Sequence, residues 1–150
     1  MALRTWKKNR NAVSIDYGPL TLSLKIGEKH VRYGGKDEWP EMEVYPTTAW
    51  NYGLVLGAEK PASSLELIRK AGPLPDQPFT PDSVPLQIKA RAKKIPGWTL
   101  DEKGLVGKLH ASPVRSGEPE ETITLIPMGA ARLRITAFPT IGSGPDAKEW

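Results

Sequence analysis

The chain contains no cysteine, which excludes a disulfide framework, a thiolate metal site and a cysteine nucleophile. Only two histidines, His30 and His110, are left as imidazole ligands. They have no i, i+4 spacing and stand beside no paired acidic motif, so zinc chemistry is not expected, nor is any other cofactor. No apolar run approaches the roughly 18 residues that a membrane span needs, and no membrane partner is expected. A long cationic tail is also lacking: 21 Lys and Arg are interspersed with 17 Asp and Glu, for a net charge of +4. That mildly basic balance argues against dedicated nucleic-acid binding. Gly142-Ser143-Gly144 lacks the Gly-x-Ser-x-Gly elbow of a serine hydrolase and adjoins Pro145, so it reads as a loop.

What the chain has in quantity is punctuation. Its 14 glycines and 15 prolines fall between short apolar segments, the pattern of a strand-and-loop protein. Leu20 to Ile26 places four aliphatic side chains on one face and Thr21, Ser23 and Lys25 on the other, as a half-buried strand does. The same alternation returns in Leu86 to Lys93 and in Arg132 to Ala137. Weaker strand candidates are Val13 to Tyr17, Met42 to Tyr45, Gly53 to Leu56, Leu65 to Arg69 and Thr122 to Ile126. Ala62 to Ala71 fits either a capped helix or alternation, and it is taken as a strand. About eight strands at this spacing predict an all-β fold, an antiparallel, jelly-roll-like β-sandwich with long Pro/Gly-rich loops. Five prolines between Gly72 and Pro85 make a stiff connection, so residues 1–150 are read as one domain with a weak internal division near 72–85.

Three segments stand out together. They are Tyr17-Gly18-Pro19-Leu20-Thr21-Leu22-Ser23-Leu24, then Glu43-Val44-Tyr45-Pro46-Thr47-Thr48-Ala49-Trp50-Asn51-Tyr52-Gly53-Leu54, and Thr124-Leu125-Ile126-Pro127-Met128-Gly129-Ala130-Ala131-Arg132-Leu133-Arg134-Ile135. Together they resemble the C-terminal region of bacterial proteins related to glycoside hydrolase family 127, the β-L-arabinofuranosidase group. The resemblance implies β-sandwich domains that pack against an N-terminal (α/α)6 barrel, where the family's cysteine nucleophile, zinc site and glutamate acid/base lie. None of those cysteines has a counterpart here, so the resemblance carries over no catalytic residue and the chain is not expected to be an enzyme by itself. It implies instead a piece of a larger hydrolase whose partners are the parent barrel, carbohydrate and, through the face the barrel would cover, a second copy of the chain. Met1 to Lys8 has neither the apolar stretch nor the cleavage site of a signal peptide, which leaves bacterial cytoplasm and periplasm both open.

Sugar binding without catalysis needs aromatic rings against the C–H face of a pyranose and polar groups at the rim. Trp50, Asn51 and Tyr52 supply both within three residues, because in an extended segment the two rings would lie on one side with the Asn51 amide between them. Trp39 beside Pro40 and Trp98 after Gly97 are the next candidates. The alternative is a small stand-alone glycosidase using two carboxyl groups about 5 to 10 Å apart. Its candidates are Asp37, Glu38, Glu41 and Glu43, with Glu118, Glu120 and Glu121 as a second acidic cluster. Lys89, Arg91 and Lys93 share one strand face, as do Arg132 and Arg134, so pairing of those two strands would build a basic patch for a polyanion.

Overall fold

A computed structural model describes residues 1–149. Its fold is antiparallel, all-β and sandwich-like, with nine strands and two single 3-10 turns at Pro61–Ser64 and Met128–Ala130. The strands are β1 (Ala2–Trp6), β2 (Ala12–Tyr17), β3 (Leu20–Leu24), β4 (Glu28–Gly35), β5 (Pro40–Pro46), β6 (Tyr52–Leu54), β7 (Leu65–Arg69), β8 (Leu86–Lys94) and β9 (Glu120–Pro127). Seven of them form one sheet in the order β1-β2-β3-β9-β8-β6, with β7 continuing the β6 side of β8. Strands from both sides of the proline-rich segment therefore share one sheet.

β8 shows why the sequence folds this way. Leu86, Ile88, Ala90 and Ala92 are buried, while the residues between them point outward, so a strict two-residue period fixes which face meets the core. On the outer face Lys89 reaches Thr124 at 2.6 Å and Arg91 pairs with Glu120 at 3.1 Å, while Lys94 and Glu121, at positions in step with the buried residues, pair at 2.9 Å at the end of the inner face. β9 contributes Ile123 and Leu125 to the same core as Leu22, Leu24 and Leu54. β3 follows its alternation except at Ser23, which is fully buried and donates from its hydroxyl to the Ile135 carbonyl at 3.2 Å. Ser23 lies opposite Ile126, and Ile126 packs with Val84, Ala130 and Ala131 in a second small cluster. The outer face of the sheet is thus roofed there by the end of the proline-rich segment and the second 3-10 turn. Lys25 holds that roof through Asp82 at 2.6 Å, and Lys70 donates to the Asp82 carbonyl.

Arg132 to Ala137, expected as a strand, forms no ladder. β2 and β3 pair only near their shared turn, and the chain crosses the gap between them. Leu24 donates to Ile135, while Phe138 and Val13 exchange both backbone hydrogen bonds. The segment then passes to β6, where Leu54 donates to Pro139 and accepts from Ile141. Its aliphatic side chains do turn inward, with Ile135 in the core and Leu133 packed against it, but a crossing strand meets each neighbour at too few residues to build a ladder. Gly53 leaves room for Ile141 at this junction, because a Cβ there would stand 2.6 Å from Ile141 Cδ1 and the Ile141 side chain would have to shift. Since β8 is flanked by β6, β7 and β9, the expected pairing of its cations with Arg132 and Arg134 does not occur.

β4 and β5 form a separate two-stranded arm. Its outer length is exposed on both faces, so local bonds hold its tip. Arg32 donates to the Gly34 and Gly35 carbonyls at 3.1 and 2.7 Å and pairs with Asp37 at 2.7 Å. Gly35 has φ +76°, and a Cβ there would lie 2.3 Å from the Trp39 carbonyl oxygen, a place only glycine fills without strain. The two legs of the root are tied to each other by Thr47 N–H to Gly27 O at 2.8 Å and Gly27 N–H to Thr48 Oγ1 at 2.9 Å, and Arg132 N–H reaches the Glu28 carboxylate from the body at 3.2 Å.

Candidate functional site

The candidate site lies where the root of the arm meets the sandwich. β5 brings Glu43, Val44 and Tyr45 to one side of a groove of about 390 Å³, and Trp50 and Ile26 line it from the body. The opposite side is a loop carrying Leu100, Lys103 and Val106, and the crossing segment adds Leu133 and Arg134. This size lies within the usual range for small-molecule sites.

The loop is built by Asp101. Its carboxylate accepts from the backbone N–H groups of Lys103 and Leu105 at 2.9 and 2.8 Å, and Leu100 bridges to Val106 across the turn. An aspartate that satisfies two turn amides fixes a short loop without other packing, so Leu100, Leu105 and Val106 can stand exposed at its tip. Behind the loop, Trp98 is only 2% exposed and donates from Nε1 to the Gly107 carbonyl at 3.1 Å. Its ring meets Trp50 edge-on, with centroids 5.3 Å apart at 77°. Trp50 is therefore held from the core side while lining the groove.

The five residues singled out from the sequence take different places. Trp50 lines the groove. Asn51 is the centre of a tight turn in which Tyr52 N–H donates to the Trp50 carbonyl at 3.0 Å. Its side-chain amide donates to Ile95 O at 3.0 Å, and its own carbonyl accepts from Ile95 N–H. The segment is consequently not extended, and Trp50 and Tyr52 do not form a two-ring platform, because a turn of this kind cancels the strand alternation. Tyr52, 7% exposed, enters the core and donates its hydroxyl to Glu121 at 2.8 Å. Burial first, and Glu121 second, push its pKa up to about 12. Trp98 is in the core behind Trp50 and has no open face. Trp39 stands at the far end of the arm, 80% exposed, away from the groove lining.

Tyr45, Glu43 and Arg134 belong to the site and were not singled out as a group. Tyr45 donates its hydroxyl to Glu43 at 2.5 Å, and this hydrogen bond, with the charge of Glu43, raises the tyrosine pKa. The pairing of Glu43 with Tyr45 and of Asp37 with Arg32 occupies two of the carboxylates weighed for glycosidase chemistry. In the other cluster Glu120 pairs with Arg91 and Glu121 with Lys94. The Lys94 hydrogen bond, followed by that of Tyr52, lowers the Glu121 pKa. Among the described residues, no three His, Asp or Glu side chains gather as a metal site would require. His110 is buried beside the Trp98 ring, and burial lowers its pKa.

No family model matches this chain. No curated protein and no solved structure matches it either. The chemistry of the groove itself must carry the functional reading.

Proposed function

We propose that this chain is a non-catalytic accessory β-sandwich of a family 127-like glycoside hydrolase, which braces the catalytic barrel and binds carbohydrate in the groove at Trp50. The observation that carries the carbohydrate reading is the pairing of Trp50 with Tyr45 in one cavity of sugar size, with Glu43, Lys103 and Arg134 in its lining. An indole fixed from behind is a low-entropy surface for the C–H face of a sugar ring, and charged groups beside it can meet hydroxyls. The bracing role rests on the arm, whose exposed Tyr33, Trp39 and Met42 would be covered by a neighbouring domain.

The test is a titration of the purified chain with plant-type oligosaccharides, followed by nuclear magnetic resonance of the tryptophan indoles. The Trp50 indole should shift on addition of ligand, and the buried Trp98 indole should follow only weakly. Tyr45→Ala removes an exposed ring, so it should weaken binding about tenfold, a loss of the size an aromatic anchor gives, without moving the unfolding midpoint. An unchanged affinity in that variant, or no response at Trp50, would remove the groove as a carbohydrate site.

A further inference from the structure

We infer that the sugar residue this groove selects carries a carboxylate, which Arg134 and Lys103 receive. The inference rests on the carbohydrate reading above and adds to it the class of sugar.

Its basis is the unequal use of charge around the cavity. Three ionisable chains of full charge line it, Glu43, Lys103 and Arg134. Glu43 is already engaged by the Tyr45 hydroxyl at 2.5 Å. Arg134 donates from Nε to the Ala131 carbonyl at 2.8 Å, which orients the guanidinium and leaves its two Nη groups for another acceptor. Neither Arg134 nor Lys103 takes part in an ion pair among the described residues, although seven other Lys and Arg side chains do. The groove thus offers two uncommitted cations beside one committed anion, and a single negative charge on the ligand complements it.

The type of anion follows from the geometry of the donors and the character of the walls. The paired Nη groups of a positioned guanidinium match the two oxygens of a carboxylate. Trp50, Tyr45 and the aliphatic side chains give a simple inorganic anion nothing to contact, whereas a uronic acid joins a carboxylate to the C–H face those walls suit. Lys103, on the Asp101-fixed loop opposite, supplies a second positive charge without demanding one geometry.

The experiment compares a glucuronate-containing oligosaccharide with its carboxyl-reduced neutral counterpart by calorimetry on the whole chain, with inorganic phosphate as a competitor. At low salt the acidic sugar should bind about fivefold tighter, the scale of a solvent-exposed charge pair, and the preference should shrink as salt is added. Lys103→Met and Arg134→Met should each weaken the acidic sugar more than the neutral one, so that the ratio of the two affinities falls. Lys103→Met is the safer variant, since that side chain makes no hydrogen bond among the described residues. Equal affinity for the two sugars overturns the carboxylate inference and leaves the carbohydrate reading standing; no binding of either overturns both. A preference that survives in both Met variants, or phosphate that displaces the sugar at equal concentration, would also overturn the inference, since the charge would then be read elsewhere or without the sugar.

Discussion

Trp98 offers a sharp test of how the groove is supported. Truncation to alanine empties a core position that is 2% exposed, and large aromatic-to-alanine changes of this kind cost about 3 to 5 kcal/mol. Two local losses put Trp98→Ala toward the upper part of that range. The edge contact with Trp50 at 5.3 Å disappears, a pairing of a kind that contributes about 1 kcal/mol. The Gly107 carbonyl also loses its donor, which costs about 1 kcal/mol or more if water cannot reach it. Trp98→Phe keeps most of the ring area and loses the indole N–H, so its expected cost is about 1 to 2 kcal/mol. Urea unfolding followed by circular dichroism measures both. A loss of about 4 kcal/mol lowers the midpoint by about 2 M at the slope typical of small domains, and the Phe variant should fall between alanine and the parent. Since Trp98 has no face in the groove, Trp98→Phe should leave the proposed sugar binding unchanged once folded. An alanine variant with an unmoved midpoint would refute the core assignment. A Phe variant that keeps its midpoint but loses sugar would show that Trp98 itself touches ligand.

Three further expectations concern pH and association. Tyr52, with its pKa raised to about 12, favours the folded state fully below its ordinary value of 10.0, and this contribution is lost as pH rises from there through about 12. Alkaline unfolding should therefore be milder in Tyr52→Phe, measured as the drop in midpoint between neutral and strongly alkaline pH; an identical drop in both would refute the role. Glu121 has the opposite sign, since its lowered pKa gives stability above the ordinary carboxylate value that is lost as pH falls through the depressed one. Glu121→Gln should flatten the acid limb of the stability curve, and an unaltered limb would count against the Lys94 and Tyr52 contacts. The exposed rings of the arm predict concentration-dependent self-association of the chain, because exposed aromatic surface favours contact with a second copy. Trp39→Ser with Tyr33→Ser should reduce that association in sedimentation experiments, and a parent chain that stays monomeric at high concentration would argue against a covering domain.

Local sequence determined the strands that have an inside and an outside. Leu20 to Leu24 and Leu86 to Lys94 could be read from a two-residue apolar period because one face of each is pressed on a core, Thr122 to Ile126 within β9 was visible more weakly from its β-branched and aliphatic content, and the proline-rich stretch announced a connection because proline cannot serve a central ladder. β1 and β4 were not legible, since their residues are mostly exposed on both faces and leave no period to find. The site was legible only in part. The short polar and aromatic run at Trp50 was visible, but the turn at Asn51 depends on Ile95, 44 residues away, and it sends Tyr52 into the core and leaves Trp50 at the groove. Arg132 to Ala137 alternates like a strand, yet the splaying of β2 from β3 decided that it crosses the sheet, which is what carries Arg134 to the groove wall. A period records which side chains are buried, whereas a cavity is made by residues from separate segments whose meeting is fixed by backbone pairing, and that pairing exists only in the folded chain.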